Sequence, residues 1–372
     1  MHAGLVWRYM VLITDGHLDI AMNALQWNRD LLLSVHTIRT QEDSVPGKAR
    51  ANSTVAFPEM RSGRIMLSFA TLFARSTGQP RAHVDFASPI QAYGIARGQL
   101  AYYEALERWG HVRIIRNGDQ LDAHVGEWEL WDANHGPNDS SSTPPLGIVL
   151  SMEGADPVLE PGQVTEWWEA GVRIIGLAHY GRGRYAGGTA VEDGLTGLAG
   201  RLLSEMDRLG IILDLTHCSD RSFWEALPLF NGAVIASHSN CRALVPHQRQ
   251  LSDGQIRAIV ERSGVVGVVA SCWQLTPGFQ HGDSNLNTSL SDLADNIDHI
   301  CQLAGDSSHA GLGSDLDGGF GREGSPRDVD TIADLQKLVR ILEQRGYSHE
   351  DVAAIMYRNW VAVLLRAWTA TS

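Results

Sequence analysis

Residues 198–240 read LAGRLLSEMDRLGIILDLTHCSDRSFWEALPLFNGAVIASHSN, and their pattern decides the fold. Leu198–Leu209 spaces its apolar residues as one face of a helix does. Ile211–Leu215 is then a short, continuous apolar run that ends at His217, and Ala233–Ala236 is another that ends at His238. Strands that are apolar on both faces belong to a parallel sheet covered by helices.

The alternation extends in both directions. Candidate strands are Val11–Thr14, Ile65–Ala70, Val112–Ile115, Gly147–Ser151, Val172–Leu177, Ile211–Leu215, Ala233–Ala236, Val265–Ala270 and Ala310–Gly313. Helical patterns fall at Ala92–Trp109, Leu198–Leu209, Ser252–Arg262, Leu290–Leu303, Thr331–Gln344 and His349–Trp368. Strand–helix units sustained over this length indicate α/β, and about eight of them favour a closed (β/α)8 TIM-type barrel. Nine candidates are one too many, and Val112–Ile115 is the expected extra. A single barrel domain over 1–372 is expected. Its irregular insertions, near 36–61 and 118–145, are read as long loops over one mouth of the barrel.

Composition narrows the function. The 372 residues are 44% hydrophobic and 20% charged, enough for a large core, and the formal charge is −13. Such a balance argues against a nucleic-acid partner, which needs a basic surface. Cys218, Cys241, Cys272 and Cys301 show no CxxC spacing and read as buried thiols in a reducing compartment. The apolar start, MHAGLVWRYMVLITDGHLD, is broken by Arg8 and is read as part of the domain, not as a leader. No run approaches the ~20 apolar residues of a membrane span. A cytoplasmic protein is expected.

The polar residues that end these runs carry the functional reading. His17 and Asp19 follow VLIT, Glu153 follows GIVLSM, His179 follows VRIIGLA, His217 follows IILDLT, His238 follows AVIAS and Asp315 follows AGLGS. In a parallel barrel all of these ends share the face where catalytic loops gather. One histidine after a strand is usually structural; a metal-capable residue after six strands is hard to assign to chance. In His17-x-Asp19 two side chains on an extended segment point the same way and can clasp one cation. His217 and His238 end successive strands, hence lie side by side, and Glu153 can bridge two ions with its two oxygens. Imidazole with carboxylate suits zinc, and two such ions activate a shared water.

The segments DGHLD (15–19), SMEGAD (151–156), IIGLAHY (174–180), 194–219, IASHSNCRAL (235–244), RQLSDGQIRAI (249–259) and GLGSDLDG (311–318) resemble the membrane (renal) dipeptidase family of zinc peptidases. The resemblance spans about 15–359. It implies that His17 and Asp19 bind one Zn2+, that His217 and His238 bind a second, and that Glu153 bridges them. It implies Asp315 as proton shuttle, His179 as the group that polarises the substrate carbonyl, and Arg249 as partner of the C-terminal carboxylate. The implied substrate is a dipeptide, with a D-residue accepted at the C-terminal position; for a barrel of this kind a homodimer is a possible assembly. Arg249-Gln250, Tyr357-Arg358 and YGRGRYAGGT after His179 depart from the family pattern. The same metal centre acting on N-acyl amino acids, cyclic amides or lactams is the alternative chemistry. A non-catalytic binding protein is the third reading.

Overall fold

The computed structural model describes residues 10–136, 139 and 142–369, so the reading of the first nine residues lies outside them. The strands are β1 (Ile13–Leu18), β2 (Ile65–Phe73), β3 (Val112–Ile114), β4 (Leu146–Glu153), β5 (Val172–Gly176), β6 (Ile212–Asp214), β7 (Val234–Ile235), β8 (Val266–Val268) and β9 (Ala310–Leu312). Eight run in the order β7-β6-β5-β4-β2-β1-β9-β8, all parallel. Ala236 closes the ring on Val266, with Ala236 N–H donating to Val265 O at 3.0 Å and Gly267 N–H to Ala236 O at 2.8 Å. The fold is thus a TIM-type barrel. β3 stands outside the ring: it pairs with the start of β4 (Val112↔Leu146), while β5 takes the same edge further along (Leu150↔Val172).

Sequence chemistry fixes the turns between elements. The helix Ala199–Leu209 stops at Gly210, whose φ of 68° is left-handed and costs glycine little, and the chain turns directly into β6. The helix Asp253–Glu261 begins with a capping box between Ser252 and Gln255. Ring residues are buried along their whole length because helices cover the barrel's outer face. No described helix is long and apolar enough to cross a membrane.

Three regions differ from expectation. The stretch 118–145, read as irregular, is helical over Gly118–Asn134, capped by Asn117. Its buried stripe is Leu121, His124, Trp128 and Trp131. A histidine in the stripe and the acidic residues Glu127, Glu129 and Asp132 beside its tryptophans hide the helical period. Likewise 36–61 contains two short helices, Val35–Glu42 and Phe57–Ser62, the first tied down by Arg29 to Glu42 and by Arg39 to Asp330. The expected C-terminal helix opens into a wider π turn at Ala354–Arg358. Beyond that turn, Trp360 donates its indole N–H to Leu312 O at 2.8 Å.

β1 also runs past its apolar residues, through Asp15, Gly16 and His17 to Leu18. A Cβ on Gly16 would lie 2.7 Å from both Ser237 O and Trp360 Cζ2, so only glycine admits this close approach.

Candidate metal centre

The barrel delivers its polar residues with one repeated offset. His179, His217, His238 and Asp315 each stand three positions past the ends of β5, β6, β7 and β9, while Glu153 ends β4 and His17 is the next-to-last residue of β1. Asp19 follows β1 at the N-cap of the short helix Ile20–Leu25. Glu153 Oε1 lies at the hub: the Nε2 atoms of His217, His238, His179 and His17 are 3.2, 3.3, 3.6 and 3.7 Å from it. Asp315 Oδ1 and Asp19 Oδ1 approach His17 Nε2 at 3.8 and 3.9 Å. Arg249 is buried on the adjoining wall, donating to His238 O at 2.8 Å and Ser239 Oγ at 3.0 Å. All eight residues singled out in the sequence therefore meet. Six of them line an open cavity of about 1180 Å³; His17 and His238 sit just behind it, with their rings 3.6 Å apart.

Groups behind these side chains hold them in place. Asp15, buried in β1, accepts from His17 N–H at 3.1 Å, Ser314 N–H at 2.8 Å and Ser314 Oγ at 2.5 Å, joining the ends of β1 and β9. Asp214 does the same for β6 and β7, accepting from Thr216 N–H, Ser237 N–H and the Ser237 hydroxyl. The two locks flank the two left-handed site residues, His217 at φ 66° and Asp315 at φ 56°. A non-glycine backbone in that region stores ~1–3 kcal/mol, which persists only when its surroundings over-determine it. Thr71 bonds Asp19 Oδ1 through its hydroxyl.

These partners also assign protons. The Ser237 hydroxyl gives its hydrogen to Asp214, so it accepts from His238 Nδ1 at 2.8 Å. The Thr189 hydroxyl donates to His217 O and so accepts from His217 Nδ1 at 3.1 Å. Both histidines therefore turn the Nε2 lone pair inward, where the two nitrogens face each other at 3.2 Å and also face Glu153. Among the described residues, His17 Nε2 finds no hydrogen-bond partner at all. Lone pairs and carboxylates aimed at one another are unfavourable unless a cation lies between them. Nitrogens held ~2.0–2.1 Å from a tetrahedral ion are themselves roughly 3.3 Å apart, so the spacing suits one.

Electrostatics agree. Burial, aided by the Arg249 charge, pushes the His17 imidazole down to about 3. Burial likewise holds His179, His217 and His238 well below the usual range, so all three imidazoles are neutral and each keeps one nitrogen lone pair. Burial raises Asp19 to about 6, and burial plus repulsion from Asp19 raises Glu153 and Asp315 well above the carboxylate range. A divalent cation would relieve that repulsion. Three groupings of donors are close enough to hold ions: His17, Glu153 and His238; Glu153, His179 and His217; and His17, Asp19 and Asp315.

Several contributors were not singled out in the sequence. Asp15 and Asp214 carry a usable signal, an acid inside an apolar strand two or three residues before a histidine. Arg75, which reaches His179 Nδ1 at 2.8 Å, and the cavity-lining Tyr180 and Lys48 carry none, because loops bring them in.

Residues 5–371 match the family model described as membrane dipeptidase, peptidase family M19. The chain is 27% identical over 365 residues to the dipeptidase aclJ of Aspergillus oryzae, covering 95% of this chain and 78% of that one. It is 32% identical over 324 residues to an uncharacterized dipeptidase of Schizosaccharomyces pombe, covering 84% and 71%. A metallopeptidase of Rhodobacter sphaeroides, solved with a phosphinate mimic of the dipeptide L-Ala-D-Ala, superposes with a TM-score of 0.76 at 21% identity, covering 96% of this chain and 100% of that one. At that identity the likeness is one of fold.

Proposed function

The chain belongs to the membrane dipeptidase family, peptidase family M19, and from that premise we propose that it hydrolyses dipeptides with a free C-terminal carboxylate on a centre of two zinc ions. The observation that carries the metal reading is the inward-facing set of lone pairs: His217 Nε2 and His238 Nε2 at 3.2 Å, both against Glu153 Oε1. In this reading His17 and Asp19 would hold one ion and His217 and His238 the other, with Glu153 shared between them. When bound, such ions polarise a carbonyl and bring the pKa of water toward neutrality.

The remaining work falls to the chain's own groups. Asp315 takes the proton of the attacking water and returns it to the leaving amine, which amide hydrolysis needs because a free amide anion leaves poorly. His179 donates from the cavity wall to the carbonyl oxygen as negative charge gathers there. Arg249, planar and already anchored by two bonds, pairs with the substrate carboxylate. An open cavity leaves room for a D-residue at the C-terminal position, in keeping with the L-Ala-D-Ala mimic bound by the Rhodobacter enzyme. Four buried, unbridged thiols favour a reducing setting, hence the cytoplasm.

The test is a panel of L,L, L,D and D,L dipeptides, N-acyl amino acids and cyclic amides on zinc-loaded protein, with metal analysis alongside. The expected result is about two zinc per chain and turnover of dipeptides. Turnover confined to acyl amino acids or cyclic amides would sink the dipeptidase reading, and one zinc or none would sink the two-ion centre.

A further inference from the structure

The His179 imidazole, on the cavity wall, is held differently from its neighbours His217 and His238. His217 and His238 each place Nδ1 against a hydroxyl whose own hydrogen is committed elsewhere, so Nδ1 donates and Nε2 is left as a lone pair. His179 instead places Nδ1 2.8 Å from Arg75 Nη1. A guanidinium has only donors, so Nδ1 of His179 accepts, and its proton must sit on Nε2. That nitrogen faces the cavity, 3.6 Å from Glu153 Oε1.

We infer that Arg75 is a positioning residue that fixes the His179 proton on Nε2, making this imidazole a hydrogen-bond donor to substrate and unfitting it as a metal ligand. Geometry by proximity alone would group His179 with Glu153 and His217 as possible ligands; the Arg75 bond separates it from them.

Arg75 is built to hold this orientation. It is nearly buried, and its Nε donates to Asp85 Oδ2 at 3.0 Å. Asp85 is itself fixed by Thr77, whose N–H and hydroxyl donate to it at 3.0 and 2.6 Å. Backbone bonds Phe86 N–H to Arg75 O and Asp85 N–H to Arg81 O tie the loop back on itself. Phe73 and Tyr180 meet the His179 ring edge-on at 4.7 and 4.9 Å, which limits its rotation. Asp85, Arg75 and His179 thus form a relay from a fixed carboxylate to a donor aimed at the cavity. The consequence for turnover rests on the amide-hydrolysis reading above; the proton position does not.

The experiment compares zinc-loaded wild type, Arg75→Met, which removes the donor, and Arg75→Lys, which keeps one. Nitrogen-15 NMR of histidine-labelled protein, with His179 assigned by its loss in His179→Asn, reports which ring nitrogen carries the proton. Wild type is expected to show Nε2–H. Arg75→Met is expected to lose that preference, with kcat down ~10–10²-fold, less than the ~10²–10³-fold of losing an oxyanion donor outright, while KM and zinc content hold. Arg75→Lys should restore both the tautomer and part of kcat. A wild-type His179 protonated on Nδ1 would overturn the inference, as would an unchanged tautomer in Arg75→Met. A rise in KM at constant kcat would also overturn it, because Arg75 would then be contacting substrate directly. If no dipeptide is turned over, the functional reading fails, and the NMR result alone decides this one.

Discussion

The cavity has two walls of opposite character. One is made of strand ends, with Asp19, Glu153, His217 and Asp315 at its surface and His17 and His238 just behind, a set of neutral imidazoles and carboxylates. The other is made of loops and carries cations: Arg75, Arg249 and, nearer solvent, Lys48. The strand-end wall is braced by bonds to residues of neighbouring strands, as Asp15 does for Ser314 and Asp214 for Ser237. Arg75 is braced by its own loop, through Asp85 and Thr77, while Arg249 anchors on the β7 end. The two walls divide the labour. An electron-rich wall on a stiff frame suits cations whose spacing must not drift, and an electron-poor wall on loops suits an anionic substrate whose shape can vary.

The sharpest way to break this division is to remove the one strand-end carboxylate assigned to proton transfer and not to metal. Asp315→Asn keeps the size and the left-handed turn, which asparagine tolerates well. Zinc content is expected to hold while kcat falls ~10²–10⁴-fold, the usual worth of a positioned acid–base group. Metal analysis beside steady-state kinetics checks it. Loss of zinc in step with activity would mean that Asp315 belongs to the metal-holding set.

The same division explains what the sequence disclosed. The strand-end wall was legible because a parallel barrel converts a local pattern, an apolar run ending in a polar residue, into a common location in space. His217 and His238 needed no knowledge of the fold beyond strand order to be placed together. Arg249 came only through resemblance, since it lies 11 residues past His238 and nothing local distinguishes it from a surface arginine. Arg75 was not legible at all: its meaning depends on contact with His179, 104 residues away. The helix Gly118–Asn134 was missed for a related reason, because its buried His124 is satisfied by Met66 O on a distant strand and so reads as polar.

A smaller effect tests the cationic wall. Arg249→Ala is expected to lower kcat/KM for free dipeptides ~10–10²-fold, the worth of charge-assisted hydrogen bonds at ~1.5–3 kcal/mol. Dipeptide amides, lacking the carboxylate, are expected to change far less. The amide control is needed because Arg249 also braces His238 O and Ser239, so its loss can disturb the opposite wall. Equal losses on acids and amides would mean that Arg249 acts only as that brace.

The smallest predicted effect probes the frame of the strand-end wall. Ser237→Ala removes the hydroxyl that stands between Asp214 and His238 Nδ1. His238 then loses the acceptor that fixes its proton on Nδ1, and its Nε2 is no longer committed to facing inward as a lone pair. The cost is expected in zinc affinity, ~10–100-fold as for other partners of ligand histidines, and not in kcat at saturating zinc. Zinc titration against a competing chelator measures the first, and kinetics at excess zinc the second. Were kcat to fall at saturating zinc with affinity unchanged, the hydroxyl would be serving the substrate, and the line between the two walls would have to be redrawn through β7.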